Sequence, residues 1–362
     1  MTDGNARPMK GLILSGGKGS RLRPFTYTGA KQLIPLANKP VLFYAIENLR
    51  DAGITEIGIV VGDTAEQVRA TVGDGSALGV KVTYIEQDAP RGIAHAIRVA
   101  EPFIGTASFA LYLGDNFILG GIESFAEQFR SGDASAQILL HPVENPQEFG
   151  IAELEGDQVV RVVEKPKEPP TNLAVIGIYF FDQNVFKAVH SIQPSARGEL
   201  EITDTIQWLI DMGKPVRADS VRGYWIDTGK MADILEANRM VLDSLAASNA
   251  GTVSDGSRIE GKVVIERGAS IENSVVRGPA IIGRNTRIVD SYVGPFTSIY
   301  HDCTVLNSEI SASIVLEHTR IESVGHRIEE SMIGRNVELI GGNTKPRGYR
   351  LTLGDHSRIQ AP

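Results

Sequence analysis

From residue 9 to about 240, apolar runs alternate with segments of helical period. "GLILS" (Gly11–Ser15), "EIGIVVG" (Glu56–Gly62), "KVTYIEQ" (Lys81–Gln87) and "FALYLGDN" (Phe109–Asn116) read as strands. "VLFYAIENLRDAG" (Val41–Gly53), "AEQVRATVGDG" (Ala65–Gly75) and "GIAHAIRVAEPFI" (Gly92–Ile104) read as helices between them, the first closed by Gly53. Strands that are apolar throughout and separated by helices point to a parallel sheet covered on both faces. The expected class is therefore α/β, a Rossmann-like doubly wound domain whose ligands lie beyond the carboxyl ends of its strands.

The pattern changes after "ILEANRMVLDSLAASNAGT". From Val253 onward, branched aliphatics recur every six residues: Val253, Ile259, Ile265 and Ile271, then Ile282 and Ile288. After a five-residue step come Val293, Ile299 and Val305, and Ile333 and Leu339 close the run. A hexapeptide repeat suits a parallel β-helix of three flat faces, in which each coil buries its aliphatics by stacking on its neighbours. The expected organisation is a leader over 1–8, the α/β domain over 9–243, a β-helix over 253–345 and a tail over 346–362.

Composition narrows the field without choosing within it. The chain has 362 residues and a net charge of -8, which argues against a nucleic-acid binder. No apolar stretch approaches the length of a membrane span. "MTDGNARP" lacks the apolar core of a signal peptide. Cys303 is the sole cysteine, which precludes an intrachain disulfide and fits a reducing cytoplasm. Its neighbours in the repeat make it a small buried apolar residue.

Candidate chemistry clusters where strands end. In "LILSGGKGSRLRP" (Leu12–Pro24), three glycines follow an apolar strand, so that backbone N–H groups can turn inward around an anion. Arg21, Arg23 and Lys31 can add charged contacts to phosphate oxygens. The spacing matches neither of the common glycine-rich phosphate motifs. In "LYLGDNF" and "GYWIDTG", Asp115 and Asp227 each follow a short apolar run. Two isolated carboxylates are hard ligands suited to Mg²⁺ bound partly by substrate phosphates. "VVEKP" carries Glu164 and Lys165, and a proline ends that strand. Neither a nucleophile elbow nor histidines at metal spacing occurs, and phosphoryl or nucleotidyl transfer needs no covalent nucleophile.

In order along the chain, "LILSGGKGSRLRPFTYTGAKQLIPLANKPVLFYAIENL", "EQDAPRGIAHAI", "LGDN", "EFGIAEL", "VEKP", "GIYFFD", "ARGELEITD" and "WIDTG" resemble the motifs of sugar-nucleotide pyrophosphorylases. Among these, the chain is most similar to the thymidylyltransferases of glucose 1-phosphate. The hexapeptide tail resembles that of their long form, found in actinobacterial deoxysugar and antibiotic pathways, where the β-helix is left-handed. The resemblance implies that glucose 1-phosphate attacks the α-phosphorus of dTTP, giving dTDP-glucose and pyrophosphate, the first step of dTDP-deoxysugar synthesis.

It also implies roles for particular residues. Leu14, Gly16, Gly17, Gly19, Ser20, Gln87 and Gly92 would form the nucleotide site. Ser20 stands where the family usually has Thr, which keeps the hydroxyl. Arg21, Lys31 and Lys165 would be catalytic, and Asp115 and Asp227 would hold Mg²⁺. Asn116, Gly150, Glu164, Val175, Tyr179, Arg197 and Trp225 would bind the sugar phosphate. Phe149 stands where the short form often has Tyr, so that hydroxyl is missing. The Gln87 amide can accept from N3–H and donate to O4 of thymine or uracil, a pattern that adenine does not match. A cytoplasmic homo-oligomer, trimer or tetramer, is expected, without nucleic-acid or membrane partners. Two alternatives stay open at this point: a UTP- or other NTP-using relative, and a bifunctional enzyme whose β-helix carries an acetyltransferase with His301 or His318 as base.

Overall fold

The computed structural model describes residues 9–342 apart from 18, 157 and 222, together with 356, 358 and 359. The expected leader over 1–8 and nearly all of the tail over 346–362 lie outside the described residues. By packing, the chain divides into two units: Met1–Lys18 with Val41–Asp227, and Gly19–Pro40 with Thr228–Pro362. This division differs from the boundaries expected from the apolar pattern. The segment 19–40 and the helix Met231–Ser244 go with the second unit.

Nine strands build the sheet of the first unit, in the order Lys81–Glu86, Glu56–Val61, Met9–Leu14, Ser108–Leu113, Leu173–Phe181, Ala136–Pro142, Val216–Ser220, Gln158–Glu164, Gly150–Glu155. The first four are parallel, as the helix-separated apolar runs predict. Beyond them the sheet is mixed, which corrects the expectation of a purely parallel one. Leu173–Phe181 runs antiparallel to both of its neighbours. The physical reason is local. Gly150–Glu155 and Gln158–Glu164 form an antiparallel hairpin, and no helix intervenes before Leu173. The hairpin reverses the chain, and Leu173–Phe181 keeps the reversed direction, since it too pairs antiparallel with Gly150–Glu155.

The strand ends set out the site. Leu14 pairs with Val60 on one side and Leu113 on the other. Gly114 N–H donates to Leu14 O at 2.9 Å and Ser15 N–H to Val60 O at 2.8 Å, so both turns leave the sheet at one level. The core beneath is fully buried and rich in Phe109, Phe181, Leu111, Ile138 and Ile206, which holds the strand ends in place.

In the second unit, short strands stack in three parallel sheets of six, six and five, a left-handed parallel β-helix. Ile271 stacks on Ile288, Ile288 on Val305 and Val305 on Ile321, and all four are fully buried. At the ends of the expected series, Ile259 and Leu339 are exposed. Each sits on the outermost strand of its sheet and has a stacking neighbour on one side only. Within this unit, fully buried Asn238 of the helix Met231–Ser244 joins three segments. Its Oδ1 accepts from Ala37 N–H at 2.8 Å and Ser298 Oγ at 2.7 Å. Its Nδ2 donates to Phe296 O at 3.4 Å. Among the described residues, no helix is long and apolar enough to cross a membrane.

Candidate active site

Two three-residue strands bring the aspartates together. Trp225–Asp227 runs antiparallel to Asn116–Ile118, with Asp227 directly opposite Asn116. Asp115, in the turn, immediately precedes Asn116, so the two carboxylate-bearing residues flank this short pairing although they are far apart in sequence. Asp115 is buried and Asp227 half-buried.

Asn116 fixes this corner through its side chain. Its Oδ1 accepts from Trp225 Nε1 at 2.7 Å and from Gly177 N–H at 3.2 Å, and its Nδ2 donates to Asp115 Oδ1 at 3.3 Å. Asn116 is almost fully buried and both ends of its amide are engaged. Trp225 packs edge-on to Phe149 with ring centroids 5.8 Å apart. Gly177 leaves room for this, because a Cβ there would come within 2.8 Å of Asn116 Oδ1 and 2.7 Å of Leu113. Nearby, the pairing of Leu173–Phe181 with Ala136–Pro142 shifts register between Val175 and Tyr179. Such irregularities re-aim side chains at a sheet's working edge.

A second cluster is charged. Arg197 Nη2 donates to Glu164 Oε1 and to both oxygens of Glu201, each at 2.9 Å. Thr203 Oγ1 donates to Glu164 Oε2 at 3.2 Å, and Lys165 Nζ lies 3.9 Å from Glu164 Oε1. Burial, reinforced by Glu201, pushes the Glu164 carboxyl above its ordinary range, and Arg197, Lys165 and Thr203 oppose the shift. Burial, then Glu164, also raises the Tyr179 phenol far above its ordinary value. Gly150 lies under Thr203, whose Cγ2 would be 2.6 Å from a Cβ there. Lys165 is exposed and has left-handed backbone at φ 42, held by its N–H donating to Phe149 O at 3.0 Å. That conformation costs a non-glycine residue about 1–3 kcal/mol and recurs at functional positions.

The glycine turn opens toward a third group. Gln87 follows the strand Lys81–Glu86, and its Oε1 lies 3.6 Å from where a Cβ on Gly16 would stand. Gln87 Nε2 is 2.9 Å from His95 Nδ1. An amide nitrogen only donates, so Nδ1 accepts and His95 carries its proton on Nε2, toward Asp88 Oδ1 at 3.8 Å. Gly92, at φ 98, opens this helix. A Cβ there would strike Leu200 O at 2.4 Å, and Leu200 N–H donates to Arg91 O at 2.8 Å. The turn at Gly92 is thereby tied to the chain one residue before Glu201.

Leu14, Gly16, Gly17, Gln87, Gly92, Asp115, Asn116, Gly150, Glu164, Lys165, Val175, Tyr179, Arg197, Trp225 and Asp227 all belong to the first unit. Gly19, Ser20, Arg21 and Lys31 belong to the second. There, Gly19 takes left-handed backbone at φ 55, and its carbonyl accepts from Thr26 Oγ1 at 2.7 Å. A Cβ on Gly19 would lie 2.9 Å from Thr26 and 3.2 Å from Lys31. Sequence reasoning assigned no role to Glu201, Thr203, Gly177 or His95. The Arg197–Glu201 pair was readable as opposite charges four residues apart. Thr203 and Gly177 act through contacts distant in sequence, and His95 through a bond to Gln87 eight residues before it.

The donor set fits a hard divalent cation: two carboxylates flanking one short strand pairing, one of them bonded to an amide. Around them stand a carboxylate–guanidinium cluster, an exposed lysine and a glycine turn with a backbone suited to phosphate. Residues 10–244 match the family model described as nucleotidyl transferase, so the chain belongs to the nucleotidyltransferase family. It is 50% identical over 353 residues to the glucose-1-phosphate thymidylyltransferase of Streptomyces griseus, covering 97% of this chain and 99% of that one. The enzyme of the same name from Streptomyces antibioticus is 49% identical over 354 residues, with the same coverage. A solved putative glucose-1-phosphate thymidylyltransferase from Bacillus anthracis superposes with a TM-score of 0.62 at 37% identity, over 66% of this chain and 98% of that one.

The Glu164 shift makes a stability prediction. A carboxyl whose pKa is raised by folding contributes stability below its unfolded pKa and loses it as the pH rises through the folded value. Glu164→Gln removes that loss. The variant is expected to gain stability relative to the parent between about pH 4 and about pH 7, read by urea unfolding at both. A difference that does not change with pH would contradict the burial reading.

Proposed function

We propose that the chain transfers thymidylate from dTTP to glucose 1-phosphate, releasing pyrophosphate. The observation that supports the reading is the register of Asp227 opposite Asn116, the residue that follows Asp115. The full-length likeness to enzymes named for this activity supports the choice of substrates.

An oxygen of the sugar phosphate attacks the α-phosphorus in line, and the bond to the departing pyrophosphate breaks. Such a displacement leaves little covalent work for the protein, so positioning and charge dominate. Asp115 and Asp227 would hold Mg²⁺, which when bound neutralises charge on the reacting phosphates. Lys165 steadies the attacking phosphate, and its fixed backbone limits where the ammonium can reach. Arg21 and Lys31 offset the charge that develops on the leaving pyrophosphate. The turn through Gly16, Gly17, Gly19 and Ser20 offers N–H groups to the triphosphate, with Leu14 at its base.

Glu164 accepts from glucose hydroxyls. Arg197 holds that carboxylate and contributes charge toward the sugar phosphate. Gly150, Val175, Tyr179 and Trp225 shape the sugar pocket. Asn116 serves chiefly to orient Asp115 and Trp225, because its amide is already engaged.

Gln87 reads the base, and its acceptor is aimed by His95. With Nε2 committed to His95, Oε1 is the atom left to accept N3–H of thymine. Burial holds the His95 pKa below the ordinary imidazole range, helped by Arg91 and Arg98 and opposed by Asp88. The neutral ring therefore persists at neutral pH and is lost as the pH falls below that range. Protonated Nδ1 would donate, the amide would turn round, and its NH₂ would face the N3–H donor.

The direct test is turnover with dTTP, UTP and ATP beside Asp115→Asn. dTTP carries a base methyl that UTP lacks, and UTP carries a 2′-hydroxyl that dTTP lacks; the methyl alone should favour dTTP by about 10- to 200-fold in catalytic efficiency, with ATP far below. Asp115→Asn should lower kcat by about 100-fold or more, with the circular dichroism spectrum unchanged. A preference for ATP would refute the base assignment, and full activity of the variant would remove Asp115 from the metal site. For His95, KM for dTTP should rise as the pH falls below the ordinary imidazole range, with a smaller change in kcat. His95→Ala should abolish that pH step. A step retained in the variant would assign it to another group.

A further inference from the structure

One corner of the β-helix turns five successive coils through left-handed backbone, at Gly268, Asn285, Asp302, His318 and Asn336, with φ between 55 and 79. Glycine, asparagine and aspartate take this conformation at little cost. Histidine at 318 is not needed for the turn, since Asn285 and Asn336 make the same turn on other coils. What it adds is an imidazole beside two other metal-ligating groups. His301 immediately precedes Asp302, and its ring meets that of His318 edge-on, with centroids 5.6 Å apart. Asp302 Oδ2 lies 2.7 Å from His301 Nδ1. One ligand atom from each of the three residues lies within 4.8 Å of the others.

We propose that His301, Asp302 and His318 form a surface site for a divalent transition-metal ion, with Zn²⁺ as its reference ligand, that clips two successive coils together. Two imidazole nitrogens and one carboxylate oxygen are the donor set of borderline ions and a poor one for Mg²⁺. Three protein ligands leave one tetrahedral position for water. Ligand atoms about 2.0–2.2 Å from zinc stand roughly 3.5 Å apart, so side-chain rotations of about an ångström complete the geometry.

The backbone under the site is already fixed. Asp302 N–H donates to Arg284 O at 2.9 Å and His318 N–H to His301 O at 3.4 Å. Asn285 Nδ2 donates to the other oxygen of Asp302 at 3.0 Å, the outer contact that orients a metal-binding carboxylate. The nearby Arg335 guanidinium is paired with Glu317 at 2.6 Å, which limits its repulsion of a cation. His301 is one-fifth exposed and the other two residues are more open, so an ion can enter from solvent.

The test uses the full-length protein, stripped with chelator and titrated calorimetrically with ZnCl₂. One ion per chain should bind, Zn²⁺ should raise Tm at concentrations where Mg²⁺ does not, and Co²⁺ should give a tetrahedral absorption spectrum. His318→Asn installs the residue that this corner uses on other coils, so the fold is kept, and affinity should fall by about 10- to 100-fold. His301→Ala should do the same, whereas Asp115→Asn should leave Zn²⁺ binding intact. The site is overturned if no ion binds, if His318→Asn binds as the parent does, or if Asp115→Asn removes the binding.

Discussion

The site depends on one short antiparallel pairing. Trp225–Asp227 and Asn116–Ile118 contribute three residues each, too few to hold by backbone bonds alone in water. Their stability comes from side chains. The Asn116 amide bonds the Trp225 indole, the Gly177 backbone and the Asp115 carboxylate at once. A buried amide with both ends satisfied is costly to rearrange, because any rotation leaves donors or acceptors without partners away from water. The same network therefore orders the pairing, fixes the indole and aims a carboxylate. Geometry that would otherwise fluctuate is settled before substrate arrives.

The charged cluster works by a different balance. Glu164 is held between a cost and a gain: burial and Glu201 oppose its charge, while Arg197, Lys165 and Thr203 favour it. Arg197 is shared with Glu201, so it compensates neither acid fully. That leaves an acceptor partly desolvated and strongly disposed to take hydrogen bonds from hydroxyls. Such frustration lowers stability and is typical of sites poised for a ligand. Lys165 adds backbone strain to the same place. Stability is given up where chemistry needs it and recovered in the buried sheet and in the stacked aliphatics of the β-helix.

Much of this was legible in the residues. Apolar runs interrupted by helical periods located the four parallel strands, and six-residue spacing located the coils, because both patterns follow directly from what must be buried. The reversed direction of Leu173–Phe181 was not legible: its apolar sequence suits either direction, and the hairpin before it decides. The helix Met231–Ser244 is amphipathic whichever unit it joins, and buried Asn238, bonded to Ala37, Ser298 and Phe296, decides that it joins the second. For the site, motif positions were readable from the family pattern, but the convergence of Asp115 with Asp227 required a register between two three-residue strands. The bond from Gln87 to His95 crosses from a strand end to a helix, where no periodicity reports it.

The chain passes between its two units at points that carry these motifs. One passage divides the glycine turn, leaving Gly16 and Gly17 with the strand Met9–Leu14 and Gly19 with the segment that bears Arg21 and Lys31. Another follows Asp227 directly. Glycine suits the first passage because Gly19 needs left-handed backbone and has no room for a side chain beside Thr26. The second passage is fixed on both sides, by the pairing of Asp227 opposite Asn116 and, within the second unit, by the bonds of Asn238. In both places the segments on either side of the passage are tied to regular structure, the sheet in the first unit and the coiled stack in the second. Within the β-helix, each coil is held by its neighbours.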